Sequence, residues 1–510
     1  MSAEAPGVAE ASLARRAGVG MALAQASKVI ELALGVGIAL LAVRALGPGR
    51  FGAYSLLTNL AGAASVFLPV VTVDALGALL PRLRRRPERL YLAALVVALR
   101  SAAILGASAA VLASWGSLAP HLGLGGVPRG VALLAAVYWL CQDLLNALVA
   151  YHGAAIELRA VVVWRALGLG ATLAALAGVV AAGRVSVGAV LAVVAGGSLL
   201  AAAGLAFRLR GEGAPRSPGR ATVGAALGLT RSTWLIGLLS FVLATQIDVL
   251  LVGGLTHDRR EAAFYAAAVG VIGRAQYLLL SGWASLVIPV FGHARTEGGD
   301  AALRRAWRAV AQLSLLVAVP VSALLLANAV PLTRLLFGRA FAPAGGLLRW
   351  VALFSLASAF LVGSPVASAY WAKDRTRTLA RLRLVSGAAN LALAVPLIRA
   401  DGALGAVIAT GAAAVLAGVL ELGFARRLGV TAYPTRLAAT VGVAGLAAMA
   451  PGLALEPRGA GALAASVLAG AALFLAVLVA AKPFGPADAE GVAAVNPSLG
   501  RIVRRSLVRA

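Results

Sequence analysis

Several residue types are scarce in this chain. Its 510 residues include one cysteine, four histidines and 19 acids, and only three of its 45 basic residues are lysine. Cys141, alone and inside an apolar run, cannot form an intramolecular disulfide or a thiolate cluster, and it reads as a small buried residue. His121, His152, His257 and His293 fall in or beside expected loops, with no other histidine or carboxylate at metal-ligand spacing, so no metal site is expected. Lys28, Lys373 and Lys482 follow Ser27, Ala372 and Ala481, which leaves no Gly-Lys-Ser/Thr phosphate loop. Neither ATP hydrolysis by that route nor a bound cofactor is expected.

Charge is scarce overall. Charged residues make up 13% of the chain, against roughly 25% in soluble proteins, while 61% is hydrophobic and the mean hydropathy is +0.92. Apolar runs of the roughly 20 residues needed to cross a hydrocarbon core recur throughout. The expected fold is an all-α polytopic membrane protein. Helices are expected at 18–46, 51–81, 89–116, 130–152, 157–182, 186–207, 222–254, 262–292, 304–329, 344–372, 378–398, 403–425, 435–454 and 460–481, which is fourteen spans. The stretch from Pro331 to Pro343 reads as a loop or a short interfacial helix. Residues 1–17 are a polar segment before a first apolar run too long for a signal-peptide core, so an uncleaved first span is expected. No loop is long enough for a separate soluble domain.

The excess of 26 positive charges invites a nucleic-acid reading, and its distribution decides against one. With the N-terminus inside, 29 cations fall on the cytoplasmic face and 11 on the opposite face, the pattern of the positive-inside rule. An even number of spans with both termini cytoplasmic is expected. Five cations remain inside spans: Lys28, Arg100, Arg165, Arg231 and Arg274. Five carboxylates join them: Glu31, Asp74, Asp143, Asp248 and Glu421. An ionised group at mid-bilayer costs at least about 2.5–3.5 kcal/mol, so such residues normally face protein or a watery cavity.

Three stretches carry a family resemblance. "RALGPGRFGAYSLL" follows the first span; "QIDVLLVGGL", "AAFYAAAVGVIGRAQYLLL" and "VIPVF" follow one another around the seventh and eighth; "LLFGRAFAPAGGLLRWVALFSLASAF" and "NLALAVPLIRADGALGAVIATGAAAVL" lie in the C-terminal half. Over about residues 15–430 the chain resembles the polysaccharide flippases of the multidrug/oligosaccharidyl-lipid/polysaccharide exporter superfamily. The resemblance implies two pseudo-symmetric six-helix lobes with a shared central cavity, followed by two further helices. "FGAY" and "AAFY", each opening the second helix of a would-be repeat, agree with it. The expected organisation is a cytoplasmic segment 1–17, an N-lobe 18–209, a linker 210–221, a C-lobe 222–427, helices thirteen and fourteen in 428–482, and a basic tail 483–510.

Such flippases move an isoprenoid-linked oligosaccharide whose polar handle is a diphosphate, and guanidinium forks match phosphate oxygens. Lys28, Arg231 and Arg274 are the expected diphosphate-binding set, with Arg100 and Arg165 in second place. Alternatives stand beside each: Lys28 with Glu31 as an i,i+3 ion pair, Arg231 snorkelling to the interface, and Arg100 or Arg165 paired with Asp143. With no nucleotide motif, an ion gradient is the expected energy source. Asp143, beside Gln142 and Asn146, and Glu31 are candidate coupling sites, or else structural partners of the cations. Arg44, Arg50, Asp74 and Asp248 read as structural or gate residues, and the prolines within spans as kink points. The tail sequence "RIVRRSLVRA" reads either as a basic amphipathic helix on anionic lipid or as disordered.

The expected function is translocation of a polyprenyl-diphosphate-linked oligosaccharide across the inner membrane by alternating access, without covalent chemistry. The expected partners are the lipid-linked oligosaccharide, membrane lipids, and glycosyltransferases and a polymerase of the same route; nucleic acid is not among them, and a monomer is expected. A lipid II flippase of peptidoglycan synthesis and a cation-coupled multidrug exporter of the same superfamily are the alternatives within transport. A membrane glycan polymerase or ligase is the alternative enzyme, and no large periplasmic loop supports it.

Overall fold

The computed structural model describes residues 6–67, 80, 83, 85–154, 157–211, 214–219, 223–224, 245–495 and 497–508, and of residues 6–28, 276–286, 493–495, 497–499 and a few other positions the backbone alone. These residues are helical and contain no β-strand, apart from one isolated bridge between Phe484 and Val508. Eleven stretches among them are long and apolar enough to cross a membrane, so the chain is a multi-pass membrane protein, but the expected count of fourteen is not reached among the described residues. One of the eleven, Val29–Val66, covers parts of two expected spans, and the seventh span is described mainly at Ile247–Thr256. The chain divides into two compact units, residues 1–241 and 242–510.

In the first unit, α1 (Pro6–Phe67) is two helices joined at Gly47, which takes φ 68° and ψ 173°. Pro48 disfavours helical backbone at the residue before it, and glycine accepts the positive φ, so a single residue divides the first two expected spans. There follow α2 (Arg86–Ala113), the short α3 (Trp115–His121), α4 (Arg129–Ala154), α5 (Leu158–Ala181) and α6 (Val187–Phe207). Lipid does not drive helices together as water does, so they associate through close packing of small residues. Where α5 meets α6, a Cβ on Gly168 would stand 2.6 Å from the Gly197 carbonyl oxygen, so only glycine permits the approach.

The second unit begins with α7 (Thr245–Thr256) and α8 (Arg259–Phe337), the latter two helices joined at Gly298 and Gly299. The helix continues to Phe337 and a 3-10 turn spans Arg339–Phe341, so the stretch after Pro331 is the end of a span and not a separate interfacial helix. The expected span 344–372 is two helices, α9 (Ala342–Phe360) and α10 (Gly363–Ala372), divided at Val362 with φ 42°. Pro365 follows that break, whereas Pro320 and Pro396 lie within continuous helix. The hairpin of α11 (Thr376–Asp401) and α12 (Ala403–Arg427) turns on Gly402, at φ 59°. A Cβ on Gly405 would stand 2.0 Å from the Leu397 carbonyl oxygen, which gives the "GALGAV" element its physical reason. Glu261 accepts from the Ala403 N–H at 3.0 Å and so caps the positive end of α12.

The remaining elements are α13 (Thr435–Leu455), α14 (Ala460–Ala481), α15 (Pro486–Val495) and α16 (Pro497–Ser506). The tail is therefore helical, but its apolar side does not face lipid. Phe484, Val503 and Leu507 are buried in the same cluster as Trp307, Phe291 and Tyr370. The alternation of apolar residues and arginines marks an amphipathic helix correctly; its apolar partner is the second unit's own core.

Candidate functional site

Among the described residues of the first unit, four charges expected inside spans meet in two pairs. Arg100 on α2 and Asp143 on α4 are both 8% exposed. Arg100 Nε donates to Asp143 Oδ1 at 3.1 Å and to Oδ2 at 2.8 Å, and its terminal nitrogen also meets Oδ1. The fork geometry matches a carboxylate as it would match a phosphate. Beside it, Ser198 on α6 donates to Gln142 Oε1 at 2.9 Å. Arg165 on α5 lies 3.2 Å from Glu31 Oε1 on α1. Both carboxylates considered for ion coupling thus hold an arginine, and both second-place arginines hold a carboxylate.

Of the three expected diphosphate ligands, Lys28 lies on α1, with its side chain outside the described residues. Arg231 lies outside them altogether, as does Asp74. Arg274 is exposed on α8. Arg44 is exposed shortly before the Gly47 break. Arg50, just after it, donates to the Val185 carbonyl at 3.3 Å and ties the break to the turn between α5 and α6. That contact fits a structural part.

The second unit holds a buried carboxylate of a different kind. Asp248 on α7 is fully buried and forms no ion pair among the described residues. Its Oδ2 accepts from Tyr265 on α8 at 2.7 Å and from Thr410 on α12 at 2.7 Å. Thr410 Oγ1 also lies 3.3 Å from Asn390 Oδ1 on α11. Four helices converge on one cluster of oxygen atoms, a donor set that suits a proton or a small hard cation. No group of three or more His, Cys, Asp or Glu side chains suited to a metal ion occurs among the described residues. Sequence reading gave Asp248 only a contact or gate part, because Thr410 and Asn390 are remote in the chain and ordinary in composition. Glu421 near the end of α12 meets Arg383 at 3.1 Å and repeats the paired pattern of the first unit.

Sequence reading also missed His152. Its ring is fully buried, with Nδ1 2.9 Å from Glu157 Oε2 and Nε2 3.1 Å from the Leu205 carbonyl oxygen. It fastens the end of α4 to α6 and to the start of α5.

On that geometry the comparisons with known proteins can be placed. Residues 171–345 match the family described as "Polysaccharide biosynthesis protein". No curated protein matches the chain in sequence. Among solved structures, the lipid II flippase MurJ in its inward closed conformation superposes with a TM-score of 0.70 at 14% identity, covering 90% of this chain and 97% of that one. An inward-facing multidrug resistance MATE transporter of the MOP superfamily gives 0.60 at 16%, covering 78% and 94%. A MOP superfamily transporter from Pyrococcus furiosus, whose binding pocket is described as of reversed polarity, gives 0.56 at 14%, covering 80% and 95%. The family resemblance drawn from the sequence is borne out. The chain carries the all-helical fold of these exporters, with a polysaccharide-biosynthesis match across the middle of it.

Proposed function

We propose that this chain is a flippase that carries a polyprenyl-diphosphate-linked oligosaccharide across the inner membrane, with both termini in the cytoplasm and without making or breaking covalent bonds. The observation that carries this reading is the polysaccharide-biosynthesis match over residues 171–345, on a fold shared with a lipid flippase. The chemistry of the cargo agrees with it. A diphosphate leaving water requires compensating positive charge, and five cations lie inside the expected spans.

Within the proposal, Lys28, Arg231 and Arg274 bind the diphosphate. Arg100 and Arg165 are already compensated by Asp143 and Glu31, so they would reach the cargo only by exchanging partners. An ion gradient drives the cycle through Asp143 and Glu31. The Asp248 cluster joins them as a third coupling candidate, since its carboxylate has oxygen neighbours and no cationic partner among the described residues. Glycosyltransferases and a polysaccharide polymerase are the partners that such a cargo implies.

A second reading, a lipid II flippase, draws support from the extent of the superposition on MurJ. Purified protein in liposomes separates the two. The first reading expects translocation of a diphosphate-linked oligosaccharide lipid in preference to lipid II; the reverse preference replaces it with the second. The substitutions Lys28→Ala, Arg231→Ala and Arg274→Ala are expected to abolish complementation of a glycan-deficient strain, and full activity in all three rejects the proposed diphosphate ligands.

A further inference from the structure

After the last span the chain turns back on the second unit. Arg308 on α8 donates from Nε to Asp488 Oδ1 on α15 at 2.7 Å, and Phe484 pairs with Val508 in a parallel bridge. Val503 and Leu507 of the tail share one apolar cluster with Val430 and Leu437, which flank the turn between α12 and α13. The C-terminal helix is thereby held beside the end of the membrane-spanning helix α14, on the same continuous apolar cluster that the α12–α13 turn meets.

The opposite side of the helix is basic. Arg501, Arg504 and Arg505 stand at i, i+3 and i+4, so they share a face, and all three are exposed. Arg426, Arg427 and Arg436, on the ends of α12 and α13 that meet the same cluster, are exposed too. None of the six forms an ion pair among the described residues. Two rest on rings of their own neighbourhood, Arg426 over Tyr433 and Arg427 over Phe424. Of the two acids in the tail, Asp488 is engaged by Arg308, and the exposed Glu490 forms no ion pair among the described residues.

We propose that α16 and the α12–α13 turn form a docking surface for the anionic headgroups of membrane phospholipids, held by charge alone from outside the hydrocarbon. Charge complementarity names the occupant. Uncompensated guanidinium groups gather where spanning helices end, which is the depth of lipid phosphates, and each fork can take two phosphate oxygens. A free amphipathic tail would sink its apolar side into the acyl chains. Here Val503 and Leu507 are 3% and 8% exposed within the protein, so insertion would require the tail to leave its core. Binding therefore depends on anionic lipid and on ionic strength, and not on acyl packing.

The test uses the full-length protein in vesicles of phosphatidylcholine alone or mixed with phosphatidylglycerol, with amide hydrogen exchange read over residues 497–508. Exchange is expected to slow with phosphatidylglycerol, and the effect to vanish at about 1 M salt, where screening reaches within about 3 Å. In the variant R501Q/R504Q/R505Q the phosphatidylglycerol titration is expected to shift by about fivefold for each arginine removed. Only exposed side chains change in that variant, and unaltered exchange over residues 486–495 in phosphatidylcholine verifies that the tail stays docked. Equal exchange in the two vesicles, or a titration that the triple substitution leaves unshifted, overturns the proposal. So does quenching of a fluorophore at the exposed position Ser506→Cys by lipids brominated on their acyl chains, because it places the tail in hydrocarbon. None of these readouts involves transport, so failure here leaves the cargo assignment standing, and the converse holds.

Discussion

Substituting Asp143→Asn separates two parts that this carboxylate can play. Asp143 and Arg100 neutralise each other at 8% exposure, through Nε contacts of 2.8 and 3.1 Å and a further contact from the terminal nitrogen. Removing one member of such a pair leaves a charge buried without compensation, which costs about 3–5 kcal/mol, whereas replacing both by apolar residues of similar volume is often neutral. At about 2–4 °C per kcal/mol for a unit of this size, Asp143→Asn lowers the melting temperature in detergent by about 6–20 °C. Arg100→Leu does the same, and the double substitution Arg100→Leu/Asp143→Leu recovers most of the loss. A double variant as unstable as either single one would refute the ion-pair reasoning. Transport by the recovered double variant then divides the parts: retained, gradient-dependent transport removes Asp143 from coupling, and its loss in a stable protein assigns coupling to it.

The other expectations draw on separate parts of the molecule. Gly405→Ala pushes a methyl into the Leu397 carbonyl, 2.0 Å from the ideal Cβ position, and should cost at least the roughly 1–3 kcal/mol typical of overpacking, read as lost folded yield in detergent. Asp248→Asn should leave the protein folded, since an amide oxygen can still accept from Tyr265 and Thr410, while the response of transport to an imposed ion gradient falls; an unchanged response removes the cluster from the mechanism. Burial works to raise the Asp488 carboxyl, but hydrogen bonds from Arg308, Gln312 and the Gly485 N–H outweigh it and hold the group below its ordinary value. Because the folded-state value is the depressed one, the tail anchor contributes fully above the ordinary carboxylate range and fades as pH falls through the folded value. Exchange over residues 486–508 should therefore be steady from neutral pH down to the ordinary value near 4 and rise below it. Lys373 bonds Asp300 at 2.5 Å and holds its carboxyl low, while Arg295 meets Asp374 at 3.0 Å, so the break near Gly298 and the turn between α10 and α11 are cross-tied. Asp300→Lys should raise proteolytic nicking near residue 374, and Asp300→Lys/Lys373→Asp should restore protection.

Much of the architecture was legible because hydrocarbon imposes a coarse rule: long apolar runs become helices. Breaks were legible where chemistry names them, as at Gly47 before Pro48 and at Gly402 between α11 and α12. The break at Val362 was not, since a valine with positive φ has no signature of its own and the Gly363-Ser364-Pro365 run beyond it was read as span. The tail shows a second limit. Arginine alternating with Ile, Val and Leu reveals an apolar face, but lipid and protein core ask for the same residues, so the face does not name its partner. The site shows a third. Arg100 with Asp143, and Arg165 with Glu31, are 43 and 134 residues apart in the chain, and no local spacing encodes them. The intramembrane charges themselves were visible; which of them answer one another is a property of packing.

The most direct measurement follows a fluorescent diphosphate-linked oligosaccharide lipid from one leaflet to the other in liposomes containing the purified protein. A flippase of this cargo raises the accessible fraction well above that of protein-free vesicles, and Arg274→Ala abolishes the rise. Vesicles with and without the protein that remain indistinguishable, while lipid II or a cationic drug crosses, would contradict it.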